Sequence, residues 1–98
     1  MEKEYITPEK LERAASMLKA IAHPIRISII GILENGEKLT VTEIHNSLGI
    51  EQSTASHHLG ILRDKGVLLS KREGKNTYYF LRHERLRDII ACLDSCGE

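Results

Sequence analysis

Ser53, His57 and Asp64 share one face of a predicted helix and carry the residue types of a nucleophile, a base and an acid. Ser53 and His57 are four apart and can touch on a helix. His57 and Asp64 are seven apart, about 10 Å along the axis, which is beyond hydrogen-bond reach and excludes a hydrolytic triad. The adjacent His57 and His58 project about 100° apart and cannot chelate one metal together. His58 borders an apolar seam and is expected to be a packed, hydrogen-bonded histidine, while His57 points outward. Cys92 and Cys96 stand one helical turn apart near the C-terminus. Thiolates at that spacing can hold a soft metal ion, and a dimer would bring four sulfurs towards one axis. The pair can also oxidise if Gly97 lets the last turn unwind. The plainer role is that of two small hydrophobes on an interface stripe.

The element that positions these residues is Glu51 to Gly66, EQSTASHHLGILRDKG. At 100° per residue, Ala55, Leu59 and Leu62 fall within about 40° of one another and form the seam. Ser53, Ser56, His57, Gly60 and Asp64 lie opposite. Surface helices usually cover their outer face with long Lys and Glu stems, whereas this face is made of hydroxyls, an imidazole and a bare glycine. It lets another surface come close to the backbone and offers donors and acceptors at fixed positions. Before it, Thr42 to Leu48 is predicted to form a short helix with a Thr cap, closed by Gly49. Two such helices make a helix-turn-helix, whose second helix enters the major groove of DNA. Thr42, Gln52, Ser53, Ser56, His57 and Gly60 are its expected DNA contacts.

The remaining elements frame this unit. Residues 1–7 are predicted to be a loose tail. A helix is predicted from Pro8 to Ala22, capped by Thr7, with Leu11, Ala14, Ala15, Leu18, Ile21 and Ala22 at helical spacing. His23-Pro24 breaks it. A second helix runs from Pro24 to about Asn35, with Ile25, Ile29, Ile32 and Leu33 inward and Gly36 at its end; its apolar circumference marks it as central core. Leu39-Thr40-Val41 is at most a brief strand. Val67–Arg72 and Thr77–Arg82 form a hairpin joined by Glu73-Gly74-Lys75-Asn76, with Lys71, Arg72, Lys75 and Asn76 placed to reach phosphates or a minor groove. Of Tyr78 and Tyr79, one is expected to pack inward and the other to face out. His83 to Gly97 is predicted to be the last helix, with Leu86, Ile89, Ile90, Leu93 and Cys96 in a stripe. Apolar stripes at both chain ends exceed the needs of a small core. They predict a homodimer joined through residues 8–22 and 83–97, presenting two recognition helices to two half-sites.

Composition sets the outer bounds. Ninety-eight residues make one domain, spanning 1–98, and 41% hydrophobic content is that of a globular chain. No apolar run approaches the ~20 residues of a membrane span. No basic segment followed by an apolar stretch opens the chain, so the expectation is a cytoplasmic protein with free thiols and no membrane partner. The formal net charge is zero, but its distribution is uneven. Residues 51–82 carry six Lys and Arg against three Asp and Glu, while the segments around them are neutral or acidic. Positive charge therefore collects where a duplex would lie, although a merely solvated hairpin has the same composition.

Three stretches, LKAIAHPIRISIIGIL (18–33), LTVTEIHNSLGIEQSTASHHLGILRDKGVL (39–68) and REGKNTYYFL (72–81), resemble the ArsR/SmtB family of winged-helix repressors. The resemblance is nearly continuous from Leu18 to Leu81. It implies a mainly α fold with a small antiparallel hairpin, a winged helix-turn-helix of about five helices plus a wing. It also implies a homodimeric repressor that dimerises through its terminal helices and is released by a metal ion or a thiol-reactive signal. The family's arsenic-sensing cysteines fall at Thr40, Thr42 and His45, so no thiolate remains there. Its zinc-sensing pattern in the last helix survives only partly around His83 to Arg85, where an Arg takes a ligand position, while Cys96 roughly matches a ligand position near the helix end. The expected partner is therefore operator DNA, with a soft metal at Cys92 and Cys96 as the one cofactor considered. A winged-helix protein-interaction module without DNA binding, and a thiol enzyme using the two cysteines, are the alternatives. The cysteines lack a CxxC spacing, which disfavours the enzyme.

Overall fold

The computed structural model describes residues 7–96; the side chains of 90 and 93–96 are not among those described. Its elements are α1 (Pro8–Ile21), α2 (Pro24–Ile32), β1 (Leu39–Thr40), α3 (Val41–Leu48), α4 (Gln52–Asp64), β2 (Leu68–Glu73), β3 (Asn76–Leu81) and α5 (Leu86–Cys96). Five helices and a small antiparallel sheet make the mainly α winged helix-turn-helix that the sequence predicts. No single helix among the described residues is long and apolar enough to cross a membrane.

Local chemistry accounts for most boundaries. Thr7 Oγ1 accepts the Lys10 N–H at 3.3 Å and Pro8 opens α1, as expected. His23 is extended, and its Nδ1 accepts the Ile25 N–H at 3.2 Å, so a histidine caps α2 after the chain has turned by 94°. The second helix ends at Ile32 rather than near Asn35. There the N–H groups of Leu33 and Glu34 switch to carbonyls three residues back, and Gly36 takes a left-handed φ of 76°. This tightening turns the chain towards β1. The cap of α3 is Thr40 and not Thr42. Thr40 Oγ1 accepts the Glu43 N–H at 3.2 Å, and Glu43 Oε1 accepts the Thr40 N–H at 3.0 Å. This reciprocal pair satisfies two helix-end donors.

β3 is the central strand of a sheet ordered β1-β3-β2. The hairpin strands sit one residue nearer the tip than predicted, because Glu73 pairs with Asn76 and only Gly74 and Lys75 remain in the turn. Gly74 has φ 62° and Lys75 does not enter the left-handed region, the pattern of a two-residue turn that matches the twist of its strands. α5 begins at Leu86 and not at His83; the N–H groups of Leu86, Arg87 and Asp88 donate to the carbonyls three residues back, at His83, Glu84 and Arg85, and carry the chain into it.

The core forms around α2. Ile29, Ile30 and Leu33 are fully buried with Ile44 of α3, Leu59 and Leu62 of α4, and Val67 and Leu68 leading into the wing. Ile25 and Ile32, expected inward, are only partly buried, and Ile30 takes the deeper place. Tyr79 packs into the core while Tyr78 remains half-exposed, so the strand alternation divides the two tyrosines as expected.

Candidate nucleic-acid interface

The turn between α3 and α4 is fixed from both sides. Gly49 adopts φ 66°, its N–H donates to the Asn46 carbonyl, and the Ile50 N–H donates to the His45 carbonyl at 3.1 Å. This pattern needs a residue tolerant of left-handed backbone, which is why glycine stands there. His45 adds a second tie, its Nδ1 bonding the Ile50 carbonyl at 3.1 Å. A ring nitrogen facing a carbonyl carries the proton, so His45 serves the turn.

α4 is anchored by its inner face. Ala55, Leu59 and Leu62 have no solvent exposure, confirming the predicted seam. His58 is 7% exposed and its Nδ1 accepts the Arg26 Nε–H at 3.1 Å, so it is the packed, hydrogen-bonded histidine expected. Burial, then His23, Arg26 and His57, hold its pKa below the usual 6.5. The opposite face is open. Gln52, Ser53, Ser56, His57 and Asp64 are exposed, and Thr42 is exposed in the first turn of α3. Gly60 is half-buried, yet a Cβ built there meets nothing within 4 Å. Nothing among the described residues therefore requires a glycine at this helical position, where it costs about 1 kcal/mol relative to alanine.

The wing follows α4 in the chain, and its first strand β2 packs against that helix. Lys71, Arg72, Lys75 and Asn76 are all exposed, and Lys75 is in the turn. Lys71 Nζ lies 3.7 Å from Glu73 Oε1, and Arg72 Nε donates to the Gly74 carbonyl at 3.4 Å. Sequence reasoning counted the net charge but missed that Glu73 faces Lys71 along the same strand. An i, i+2 spacing in a strand would have shown it.

The cysteines do not form a described site. Cys92 is exposed on α5, and the Cys96 side chain lies outside the described residues. Among the described residues no three His, Cys, Asp or Glu side chains gather closely enough to hold a metal ion. Ile89 and Leu86, expected on the α5 stripe, are 39% and 7% exposed, and the side chains of Ile90, Leu93 and Cys96 fall outside the described residues. An apolar groove runs between α1 and α5, lined by Ala14, Met17, Leu18, Ile21, Leu86 and Ile89.

A capped short helix, a glycine turn, a second helix with a buried seam and a polar outer face, and a basic two-stranded wing define a winged helix-turn-helix regulator. Residues 23–70 match the model of the bacterial regulatory protein arsR family. The transcriptional repressor PagR of Bacillus anthracis is 39% identical over 86% of this chain and 84% of its own. Its crystal structure superposes with a TM-score of 0.80 at 38% identity, covering 89% of this chain and 99% of that one. The homodimeric winged helix-turn-helix domain of a possible ArsR-family regulator from Mycobacterium bovis, solved by NMR, gives a TM-score of 0.80 at 26% identity over 99% of this chain and 90% of its own. A cadmium resistance transcriptional regulatory protein CadC homolog from Staphylococcus aureus is 30% identical over 88% of this chain and 81% of its own. The chain belongs to the ArsR family of transcriptional regulators. It is a DNA-binding regulator of that family.

Proposed function

We propose that this regulator is a homodimeric repressor that lays α4 of each copy into the major groove of an operator and the wing on the flanking backbone. The observation that carries this reading is the division of α4. Its inner face is locked in the core, while its outer face is short, polar and open. Gln52, Ser53, Ser56 and His57 can donate to and accept from base edges, Gly60 lets the groove wall approach, and Thr42 can bind a phosphate at the start of α3. Arg72, Lys75, Asn76 and Lys71 supply cations and an amide for the backbone. No step of this requires catalysis.

The second copy is proposed at the groove between α1 and α5. Leu11, Leu18 and Ile89 are 52%, 56% and 39% exposed, so the two terminal helices leave large apolar side chains open to solvent on and around this groove. The homodimeric Mycobacterium bovis domain supports a second copy as the occupant. A dimer also accounts for how two recognition helices meet a repeated half-site. The cytoplasm, where DNA is met, is the proposed location. Release by a soft metal or thiol-reactive signal at Cys92 and Cys96 is the effector part of the reading; the exposed Cys92 and the cadmium-resistance relative support it.

The test is fluorescence anisotropy of a labelled duplex from the DNA upstream of its own gene, against a shuffled duplex of equal length. Specific repressors prefer their site by ~10³-fold or more. Equal affinity for both duplexes at physiological salt contradicts operator binding at that locus, and no affinity for either favours a protein-interaction module.

A further inference from the structure

Three imidazoles and one guanidinium meet where α1, α2 and α4 converge, and DNA contact accounts for only one of them. His58 is the one buried polar side chain among the described residues. Its Nδ1 accepts from Arg26 Nε at 3.1 Å, and a terminal nitrogen of the same guanidinium donates to the Ala20 carbonyl in the last turn of α1, also at 3.1 Å. His23, in the α1–α2 break, holds its ring 4.7 Å from that of His58 and accepts the Ile25 N–H on its own Nδ1. The His57 ring stands edge-on to His58 at 5.2 Å. Arg26 thus ties three helices together through an acceptor that a proton would remove.

An arginine donor cannot give up its proton, so the bond exists only while His58 is neutral with its hydrogen on Nε2. A proton on Nδ1 turns acceptor into donor and sets imidazolium against guanidinium. Among the described residues, the charged or titratable groups facing His58 are Arg26 from α2, His23 from the break and His57 from α4 itself, and each is cationic when charged. No described carboxylate lies within ion-pair distance of any of the four to offset that charge.

We propose that Arg26 and His58 form a proton-operated latch on the recognition helix. Neutral His58 seats α4 against α1 and α2, and proton uptake at its Nδ1 releases Arg26 and loosens that seat. Burial and the neighbouring cations favour the neutral ring. The folded-state pKa lies below the ordinary 6.5, so the unfolded chain takes up the proton first. The latch's contribution to stability is therefore complete above pH 6.5 and is lost as pH falls through the lower folded value. The latch rests on the DNA-binding reading of α4 only for its consequence at the operator.

The test is a titration of the isotopically labelled full chain from pH 8 to 5 by NMR. Expected are an Nε2–H tautomer for His58 at pH 8 and a midpoint below 6.5. The amides of Ile21 in α1 and of Ser53 to Gly60 in α4 should move with that midpoint. His58→Asn keeps an oxygen able to accept from Arg26 but does not titrate. It should abolish the shared midpoint in α1 and reduce the loss of thermal stability below pH 6.5. If that variant does not fold, the wild-type titration still decides. A midpoint at or above 6.5, an Nδ1–H tautomer, or an Ile21 amide that ignores His58 overturns the latch. Should all shifts occur as expected while the upstream duplex is never bound at any pH, the latch stands and the DNA-binding reading of this face fails.

Discussion

Lys71 and Arg72 are neighbours in sequence but project from opposite faces of the wing. Their partners on β3 are Tyr78 and Thr77, and the strand alternation puts Arg72 on the same side as the buried Leu68 and Tyr79, with Lys71 on the other. Lys71 also lies beside Glu73, whereas Arg72 donates to a carbonyl of the turn and has no ion pair among the described residues. The two cations are therefore unequal.

Arg72→Ala and Lys75→Ala should each weaken binding to the upstream duplex and to a random duplex alike, and flatten the salt dependence by about one unit of log–log slope. Lys71→Ala should do less, because Glu73 already offsets that charge. Binding isotherms at four salt concentrations measure this. A loss restricted to one duplex sequence would show that these side chains read bases.

Leu59 sits at the centre of the α4 seam with no exposure. Leu59→Ala should destabilise the domain by about 2–5 kcal/mol, as core leucine truncations do. Urea denaturation measures it, and a change below about 1 kcal/mol would mean that α4 is not anchored by this seam.

Glu43 and Thr40 form the capping pair at the start of α3. Thr40→Ala should cost about 1 kcal/mol of stability, read from the shift in denaturation midpoint at unchanged slope. The pair is exposed, so the loss should come from the helix end and not from the core. A neutral result would assign the α3 start to packing of Ile44 instead.

Leu18→Glu should dissociate the proposed dimer by placing a charge in the α1–α5 groove, where Leu18 is more than half exposed in the single chain. Sedimentation equilibrium reads the outcome as a change from two chains to one, with the helical circular dichroism largely retained. A Leu18→Glu variant that remains dimeric places the interface elsewhere.

The parts legible in the sequence are those written in short-range periodicity. Ala55, Leu59 and Leu62 announce the seam of α4, and Thr7-Pro8, Gly49 and Gly74 announce an end, a turn and a hairpin. What escaped depends on geometry that periodicity does not encode. The tightened end of α2 hangs on three-residue hydrogen bonds at Leu33 and Glu34 within a run that reads as helix throughout. The late start of α5 has the same cause at His83 to Arg85. The Thr40 cap was readable, because Thr40-x-x-Glu43 is a capping-box pattern, but the neighbouring Thr42 competes for the same role. The Arg26–His58 bond spans 32 residues and joins two helices, so no local pattern reveals it.

The central claim is that the outer face of α4 reads DNA, and His57 and Ser56 test it most directly. Both are exposed on that face and neither is among the buried residues of the core. The measurement is the affinity of His57→Ala and Ser56→Ala for the upstream duplex at moderate salt, beside their thermal unfolding midpoints. Each should lose about 1–3 kcal/mol of specific binding while its unfolding midpoint stays within a few degrees of wild type. Wild-type affinity in both variants would contradict the assignment of this face to the groove.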